Sequence, residues 1–211
     1  MGNSNWRKRI LTSTRGRVLS LLRMGPRTVN ELADALALTD NAVRTHLSAL
    51  ERDGLIRQEG VRRAIGKPAF VYVLADDAEA LFPKGYAEIL DRLLDRVRRD
   101  QGDRALEAFL RNVGRDAAGA APAATGSLRE RIDAAVVALG ALGGLAEVEE
   151  REDEFYINGF SCPLSAIVTR NPEACALAEQ LVTDMVGATV TECCDRSHPP
   201  RCRFRVAKAR E

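Results

Sequence analysis

Residues 28–54 read TVNELADALALTDNAVRTHLSALERDG, and this stretch contains two helix starts. Thr28 and Glu31 have the spacing of a capping box, in which a Thr hydroxyl and a Glu carboxylate satisfy exposed amides at a helix start. Thr39 can cap a second helix that runs to about Asp53. The apolar positions of that helix share one face: Val43, Leu47 and Leu50. Two helices joined by a short turn have the layout of a helix-turn-helix.

The opposite face of the second helix carries short polar and charged side chains. Arg can pair with guanine and Asn with adenine, while Ser and Thr reach phosphates or the thymine methyl group. We therefore expect this helix to contact double-stranded DNA; the alternative is a solvated face in a small helical bundle. For His46, beside this face, a packing or surface role is a further alternative. The candidate contacts are Thr39, Asp40, Asn41, Arg44, Thr45, His46, Ser48 and Arg52.

The flanking sequence extends the motif into a winged helix. Upstream, residues 10–23 have the spacing of an amphipathic helix, which Gly25 and Pro26 end. Downstream, residues 55–57 begin one strand and residues 70–74 form another, so a hairpin is predicted. Its tip is cationic and would bind phosphate, which gives affinity and salt dependence but little sequence choice. The candidate contacts at the tip are Arg62, Arg63 and Lys67.

These residues carry a resemblance to a known family. The string from Asn41 to Leu47, followed by Gly54-Leu55 and by Gly66-Lys67-Pro68-Ala69, resembles the winged-helix domain of the bacterial arsenic-repressor-like regulators. More narrowly, it resembles the branch containing the iron-sulphur assembly (Suf operon) repressor. The resemblance covers roughly residues 12–95. It implies a transcriptional regulator that binds an operator.

Length and charge support separate domains. A chain of 211 residues exceeds the usual single domain. Through residue 73 there are 13 Lys and Arg against 6 Asp and Glu, whereas the rest has 18 against 24. The basic half is therefore the candidate nucleic-acid surface. No long apolar segment or hydrophobic leader is present, so we expect a cytoplasmic protein that does not enter a membrane.

Residues 77–100 are predicted to be helical. An apolar stripe at Tyr86, Leu90, Leu93 and Val97 has heptad-like spacing, which suits pairing with a second subunit or burial against the winged domain. A homodimer is expected in either case, because two recognition helices read a two-fold operator better than one. A helix over about 104–115 and an Ala-rich linker over 117–126 follow.

The full prediction is an α+β protein in three parts. Residues 1–76 form a winged helix-turn-helix domain, residues 77–126 form a helical dimerisation and linker region, and residues 127–211 form a small cysteine-rich sensor domain. In the last part, Ser127 can cap a helix, and the alternation of charged and apolar residues over 146–151 and 154–158 predicts a hairpin.

All five cysteines lie in this last part, and their number and compartment favour metal or redox chemistry over structural disulfides. Asn171-Pro172-Glu173 has the pattern of a capped helix start, which places Cys175 in a first turn, where the helix dipole favours thiolate. Cys162 precedes it by a twelve-residue spacer. The alternative is that the thiols merely pack a core.

The remaining cysteines are predicted on a second hairpin. A strand over 189–194 and a partner over 202–206 would bring Cys202 beside the vicinal pair of Cys193 and Cys194. Neighbouring residues of a strand point to opposite faces, so one member of the pair should enter the site. We favour Cys194, with Cys193 as the alternate. His198, in the connecting loop, is an alternative ligand or a solvated loop residue.

Four thiolates at Cys162, Cys175, Cys194 and Cys202 suit zinc or an iron-sulphur cluster. Structural zinc usually uses Cys-x-x-Cys knuckles, which are absent here, so the wide spacing favours a [4Fe-4S] or [2Fe-2S] cluster. The resemblance adds that the Suf-operon repressors carry two cysteines with the same twelve-residue spacer and bind clusters.

The functional hypothesis is a DNA-binding regulator, by resemblance a repressor of iron-sulphur assembly genes, whose cluster controls operator binding. The alternatives are a zinc-stabilised or thiol-redox repressor and, from another class, a thiol redox enzyme. No glycine loop for phosphate, serine nucleophile motif or catalytic carboxylate pair is present, so the chain is predicted not to be an enzyme.

Overall fold

A computed structural model describes residues 11–63, 68–122, 125–197 and 199–208. The chain forms two compact units that divide between Lys84 and Gly85. Each unit contains both helices and antiparallel strands, so the predicted α+β class is confirmed. The predicted division into three parts remains a prediction; its middle part contributes two helices to the second unit, which also contains the cysteines.

The first unit is a winged helix-turn-helix. Its described elements are helices α1 (Thr14–Arg23), α2 (Val29–Leu36) and α3 (Asp40–Arg52), strands β1 (Arg27–Thr28), β2 (Ile56–Arg62) and β3 (Ala69–Leu74), and a 3-10 helix (Asp76–Leu81). The described strands form a sheet in the order β1-β3-β2, and a bulge interrupts the β2–β3 pairing between Gln58 and Gly60. The tip of this hairpin, including Lys67, lies outside the described residues.

The helix starts of this unit follow from local chemistry. Thr28 and Glu31 form both bonds of the predicted capping box, and the Thr39 hydroxyl accepts a bond from the Ala42 amide. The apolar faces of the three helices then meet in one core. Val18, Leu32, Val43 and Leu47 are each at most 1% exposed. Burial of the apolar face of α3 leaves its polar face outward.

The second unit combines helices with a four-stranded sheet within its described residues, in the order β4-β5-β7-β6. Its helices are α4 (Tyr86–Gln101), α5 (Asp103–Ala120), α6 (Leu128–Ala141), a 3-10 turn (Pro172–Ala174) and α7 (Cys175–Val186). Its strands are β4 (Leu145–Glu150), β5 (Glu154–Ser161), β6 (Val190–Glu192) and β7 (Arg203–Ala207). The Ser127 cap and both predicted hairpins are confirmed.

Three sequence predictions in this unit are corrected. The linker prediction was wrong for residues 117–120, because α5 continues to Ala120 and Ala117 packs against the core. The strand predicted over 189–194 ends at Glu192, so the vicinal cysteines follow it. Asn171 makes no capping bond, and α7 begins only at Cys175.

Helix α4 has two distinct faces. Its inner face buries Asp91 and Leu94, the latter in a cluster with Leu106 and Ile167. Its outer face leaves apolar side chains exposed, including Tyr86 at 74% and Leu93 at 57%. The predicted apolar stripe is therefore mainly on the outer face of this helix within its own unit.

Candidate metal centre and nucleic-acid interface

Four cysteines from separate places in the chain converge at one end of the second unit. Cys162 directly follows β5, Cys175 opens α7, Cys194 lies two residues beyond β6, and Cys202 directly precedes β7. The β6–β7 pairing and the bond from the Cys193 amide to the Arg203 carbonyl oxygen, at 2.8 Å, hold the last two segments together. Among the four, only Cys194 is more than slightly exposed.

The four thiols form a series of neighbouring contacts that runs from Cys162 through Cys202 and Cys194 to Cys175. The pKa of Cys162 is lowered because the Cys202 thiol donates a hydrogen bond to it. The same contact, aided by burial, raises the pKa of Cys202 to about 12. Cys175 has a strongly raised pKa because of its hydrogen bond with Cys194 and because it is buried, so the thiolate expected from its place at a helix start is not favoured among these thiols.

Cys194 lies between Cys202 and Cys175 in this series of contacts. The hydrogen bond from Cys175 lowers the pKa of Cys194, but the hydrogen bond with Cys202 and burial outweigh that effect. The pKa of Cys194 is therefore raised. The Arg203 amide also donates to the Cys194 sulphur at 3.2 Å. Four crowded thiols cannot all ionise unless a cation compensates their charge, and soft cations bind thiolates. The donor set therefore fits a thiolate-bound metal or cluster.

Cys193 points elsewhere. Its side chain is exposed, and its thiol contacts the Thr191 carbonyl oxygen at 3.6 Å. The structure thus brings Cys194, and not Cys193, into the group with the other three cysteines. Which of the vicinal residues is a ligand stays a prediction. His198, the other alternative, lies outside the described residues.

Glu192 is a potential donor that the sequence reasoning missed. One of its carboxylate oxygens and the sulphurs of Cys175 and Cys194 all lie within 4.8 Å of one another. The carboxylate accepts a bond from the Cys194 amide and forms an ion pair with Arg196. The sequence already indicated this proximity, because residues two apart in the predicted strand over 189–194 would share a face. Glu192 and Cys194 have that spacing.

The backbone near Glu192 is anchored to two helices. The Glu192 amide donates to Oε1 of Glu179 in α7 at 2.9 Å, and Oε2 of Glu179 forms an ion pair with Arg111 of α5 at 2.8 Å. Glu179 is only 17% exposed, which strengthens this contact relative to a surface pair. The position of β6, and so of Cys194, therefore depends on α5 and α7 as well as on β7.

The candidate nucleic-acid interface is the outer face of α3. Apart from the half-buried His46, the candidate contacts from Thr39 to Arg52 are exposed. The Thr45 hydroxyl donates to the Asn41 carbonyl oxygen at 3.0 Å, which leaves the hydroxyl oxygen available as an acceptor. Arg44 lies on the same exposed face. Such a face can present a guanidinium and an amide to base edges.

The wing adds cationic groups. Arg62 and Arg63 are both exposed, and Arg62 forms a 2.6 Å ion pair with Glu31 at the start of α2. This pair ties the end of β2 to the helix-turn-helix and partly neutralises Arg62. Arg63 is therefore the better candidate for a phosphate contact among the described wing residues.

Residues 12–58 match the model of a family described as bacterial regulatory protein, arsR family. The first unit therefore carries an arsR-type helix-turn-helix, the domain of DNA-binding regulators. No curated protein matches the chain. The described residues contain no helix that is long and apolar enough to span a bilayer.

The solved structures that resemble the chain include two of Lactococcus lactis ZitR, both of its C30AH42A mutant. One is 20% identical with a TM-score of 0.28, and it aligns over 42% of this chain and 74% of the ZitR chain. The other, an apo form, is 22% identical with a TM-score of 0.29 over 52% and 85% of the respective chains.

Proposed function

We propose that this chain is a homodimeric transcriptional repressor whose operator binding is controlled by an iron-sulphur cluster. Cys162, Cys175, Cys194 and Cys202 are the proposed ligands, and the iron-sulphur assembly genes are the proposed targets. The observation that carries the proposal is the convergence of these four thiols in a chain that begins with an arsR-type helix-turn-helix.

A cluster suits this donor set better than a structural zinc ion. The ligand pairs are separated by twelve and seven residues, whereas structural zinc sites usually use short knuckles. Cys162, Cys175 and Cys202 are buried, while Cys194 and the adjoining Arg196 lie nearer to solvent. A bound cluster would supply sensitivity to oxidation and to iron supply, and the partly exposed side gives oxidants access.

The positions of the ligands provide a way to couple cluster binding to operator binding. The four donors belong to separate segments that join β5, α7, β6 and β7, so binding would fix these segments relative to one another. We propose that the loaded state favours operator binding by the dimer. Iron shortage or oxidation would then release the assembly genes from repression.

The test is anaerobic purification followed by absorption spectroscopy and by analysis of iron, sulphide and zinc. We expect a coloured protein with iron and acid-labile sulphide. Cys175→Ser should remove the colour, while Cys193→Ser, the matched control at an exposed cysteine, should keep it. A colourless wild-type protein without iron would reject the cluster, and loss of colour in both variants would reject the proposed ligand set.

A zinc-controlled repressor is the second candidate, and the position of Glu192 favours it. Three thiolates and one carboxylate are an acceptable tetrahedral set for zinc. Zinc at one equivalent without sulphide, together with zinc loss in Glu192→Gln, would select this alternative. A metal-free protein that forms a disulfide between Cys175 and Cys194 on mild oxidation would instead select the thiol-redox repressor.

A further inference from the structure

Helix α4 is joined to the segment that precedes Cys175 by buried polar side chains. Asn171 is 1% exposed, and its side-chain amide donates to Asp91 of α4 at 2.8 Å. The other Asp91 oxygen accepts a bond from Arg170 at 3.0 Å. The Asp91 side chain is only 11% exposed, so this carboxylate is buried with partners from the segment before Cys175.

Arg98 adds a second link from the same helix. Its Nη2 donates to the Asn171 side-chain oxygen and to Glu173, both at 3.1 Å. Asp91 and Arg98 are two helical turns apart and lie on one face of α4. The turn at residues 172–174 is therefore held at two points along the helix, immediately before Cys175.

These contacts replace a local interaction that the sequence favours. Asn171 precedes Pro172 and could cap the helix, yet its side chain makes no capping bond and is directed to α4 instead. A buried carboxylate and a buried amide are each costly without a partner. Movement of the turn away from α4 would break the Asp91–Asn171 bond and leave the Asn171 amide only its longer 3.4 Å bond to the Ile167 carbonyl oxygen, so the two elements should move together.

We propose that Asp91, Asn171 and Arg98 transmit metal loading at Cys175 to helix α4. The inference rests on the proposed function, because it assumes that Cys175 is a ligand. Loading fixes Cys175, and Cys175 directly follows the turn that these residues hold. Helix α4 in turn begins immediately after the winged unit in the chain. Asn171 and Arg98 are thus positioning residues that link the sensor to the element leading to the DNA-binding unit.

The test is hydrogen exchange of residues 86–101 in the full chain, measured metal-free and after anaerobic reconstitution with iron and sulphide. In the wild type, we expect loading to slow exchange in α4 by roughly 5- to 150-fold, the usual range of coupling between sites. Asn171→Ala and Arg98→Gln should bind the same amount of iron, but the response of α4 should largely disappear in Asn171→Ala and be reduced in Arg98→Gln, which keeps the Asp91–Asn171 bond. Glu88→Ala, which removes an exposed ion pair with Arg92 on the same helix, should keep it.

The outcomes separate the two proposals. If the wild type binds no iron through its cysteines, the proposed function fails. If it binds iron but exchange in α4 does not respond, the coupling alone is rejected. Loss of iron in Asn171→Ala would show that Asn171 only builds the site and would also reject the coupling. Arg98→Gln removes the Arg98 contacts with Asn171 and Glu173 but keeps the Asp91–Asn171 bond, which should preserve the fold. A full response in this variant would overturn the proposal even if Asn171→Ala does not fold.

Discussion

Gly159 of β5 contacts the backbone of Cys202 so closely that no side chain fits between them. The Gly159 amide donates to the Cys202 carbonyl oxygen at 2.7 Å. A Cβ at residue 159 would lie 2.7 Å from that same oxygen and 3.1 Å from the Cys202 Cβ. Any side chain at this position must therefore displace Cys202, one of the proposed ligands.

Gly159→Ala should accordingly reduce the metal bound per chain and lower the stability of the second unit by ~1–3 kcal/mol, the usual effect of overpacking. Gly140→Ala is the control, because residue 140 is exposed in α6 and an added Cβ meets no atom within 4 Å. Metal analysis and denaturant unfolding of both variants test the prediction. Full metal content and unchanged stability in Gly159→Ala would contradict it.

Gly114→Ala should destabilise the packing of α5 on α7. A Cβ at residue 114 would overlap the Leu177 carbonyl oxygen, and that backbone belongs to the first turn of the helix that Cys175 opens. We expect a loss of ~1–3 kcal/mol or more in the free energy of unfolding. Gly119→Ala on the same helix meets no atom within 4 Å and should instead be neutral or stabilising by up to ~1 kcal/mol. Equal melting temperatures for the two variants would refute this account.

The parts of the fold that sequence could predict are those with local causes. The capping boxes at Thr28 and Ser127 satisfy helix amides within four residues, and both are present. Asn171 had the same local signal, but a distant partner, Asp91, takes its side chain. Residues 117–120, the first part of the predicted linker, also continue α5, because the small side chains of Ala117 and Ala118 pack against the core. Tertiary contacts decided both cases, and sequence spacing does not reveal them.

In the candidate site too, features with local causes were predictable from sequence, and those set by distant contacts were not. The alternation expected of a strand over 189–194 predicted that Cys193 and Cys194 point apart; β6 ends at Glu192, yet the structure still places only Cys194 with the other thiols. Sequence gave no measure of how Cys162 and Cys202 would meet, because β5 and β7 are paired across more than forty residues. The closeness of Glu192 to Cys194 was predictable from the same expected alternation, because the two residues are two positions apart.

Glu31→Gln should reduce the acid sensitivity of the winged unit. The Thr28 amide, first, and then the Thr28 hydroxyl and Arg62 lower the pKa of Glu31 below its usual 4.5. A carboxylate with a lowered pKa stabilises the fold above its unfolded pKa, and that stabilisation is lost as pH falls through the folded value. Denaturant unfolding at pH values between about 5 and 3 should therefore show a smaller loss for Glu31→Gln than for the wild type.

Glu59→Gln is the control for this measurement, because Glu59 lies on an exposed part of β2 and pairs only with Arg57 in the described contacts. Its unfolding should keep the acid sensitivity of the wild type. Identical pH profiles for Glu31→Gln and the wild type would show that the capping carboxylate contributes nothing through its charge.

Arg44→Ala should weaken binding to a duplex selected in vitro with the purified protein. Arg44 is exposed on α3, and loss of one bidentate base contact reduces discrimination by ~1–3 kcal/mol, about 5- to 150-fold in affinity. Binding to a random-sequence duplex should change much less, and the metal content should remain that of the wild type. An equal loss on both duplexes would assign Arg44 to phosphate rather than to a base.

Arg63→Ala should alter the salt dependence of DNA binding rather than its sequence preference. Arg63 is exposed near the wing tip, whereas Arg62 is already paired with Glu31. Removal of one phosphate contact lowers the slope of log affinity against log salt by about 0.9. The slope is measured on a random-sequence duplex, with Arg129→Ala as the control, because Arg129 is an exposed residue of the second unit that pairs with Asp133. Unchanged slopes in both variants would place the phosphate contacts away from Arg63, whereas equal reductions would show an effect of net charge alone.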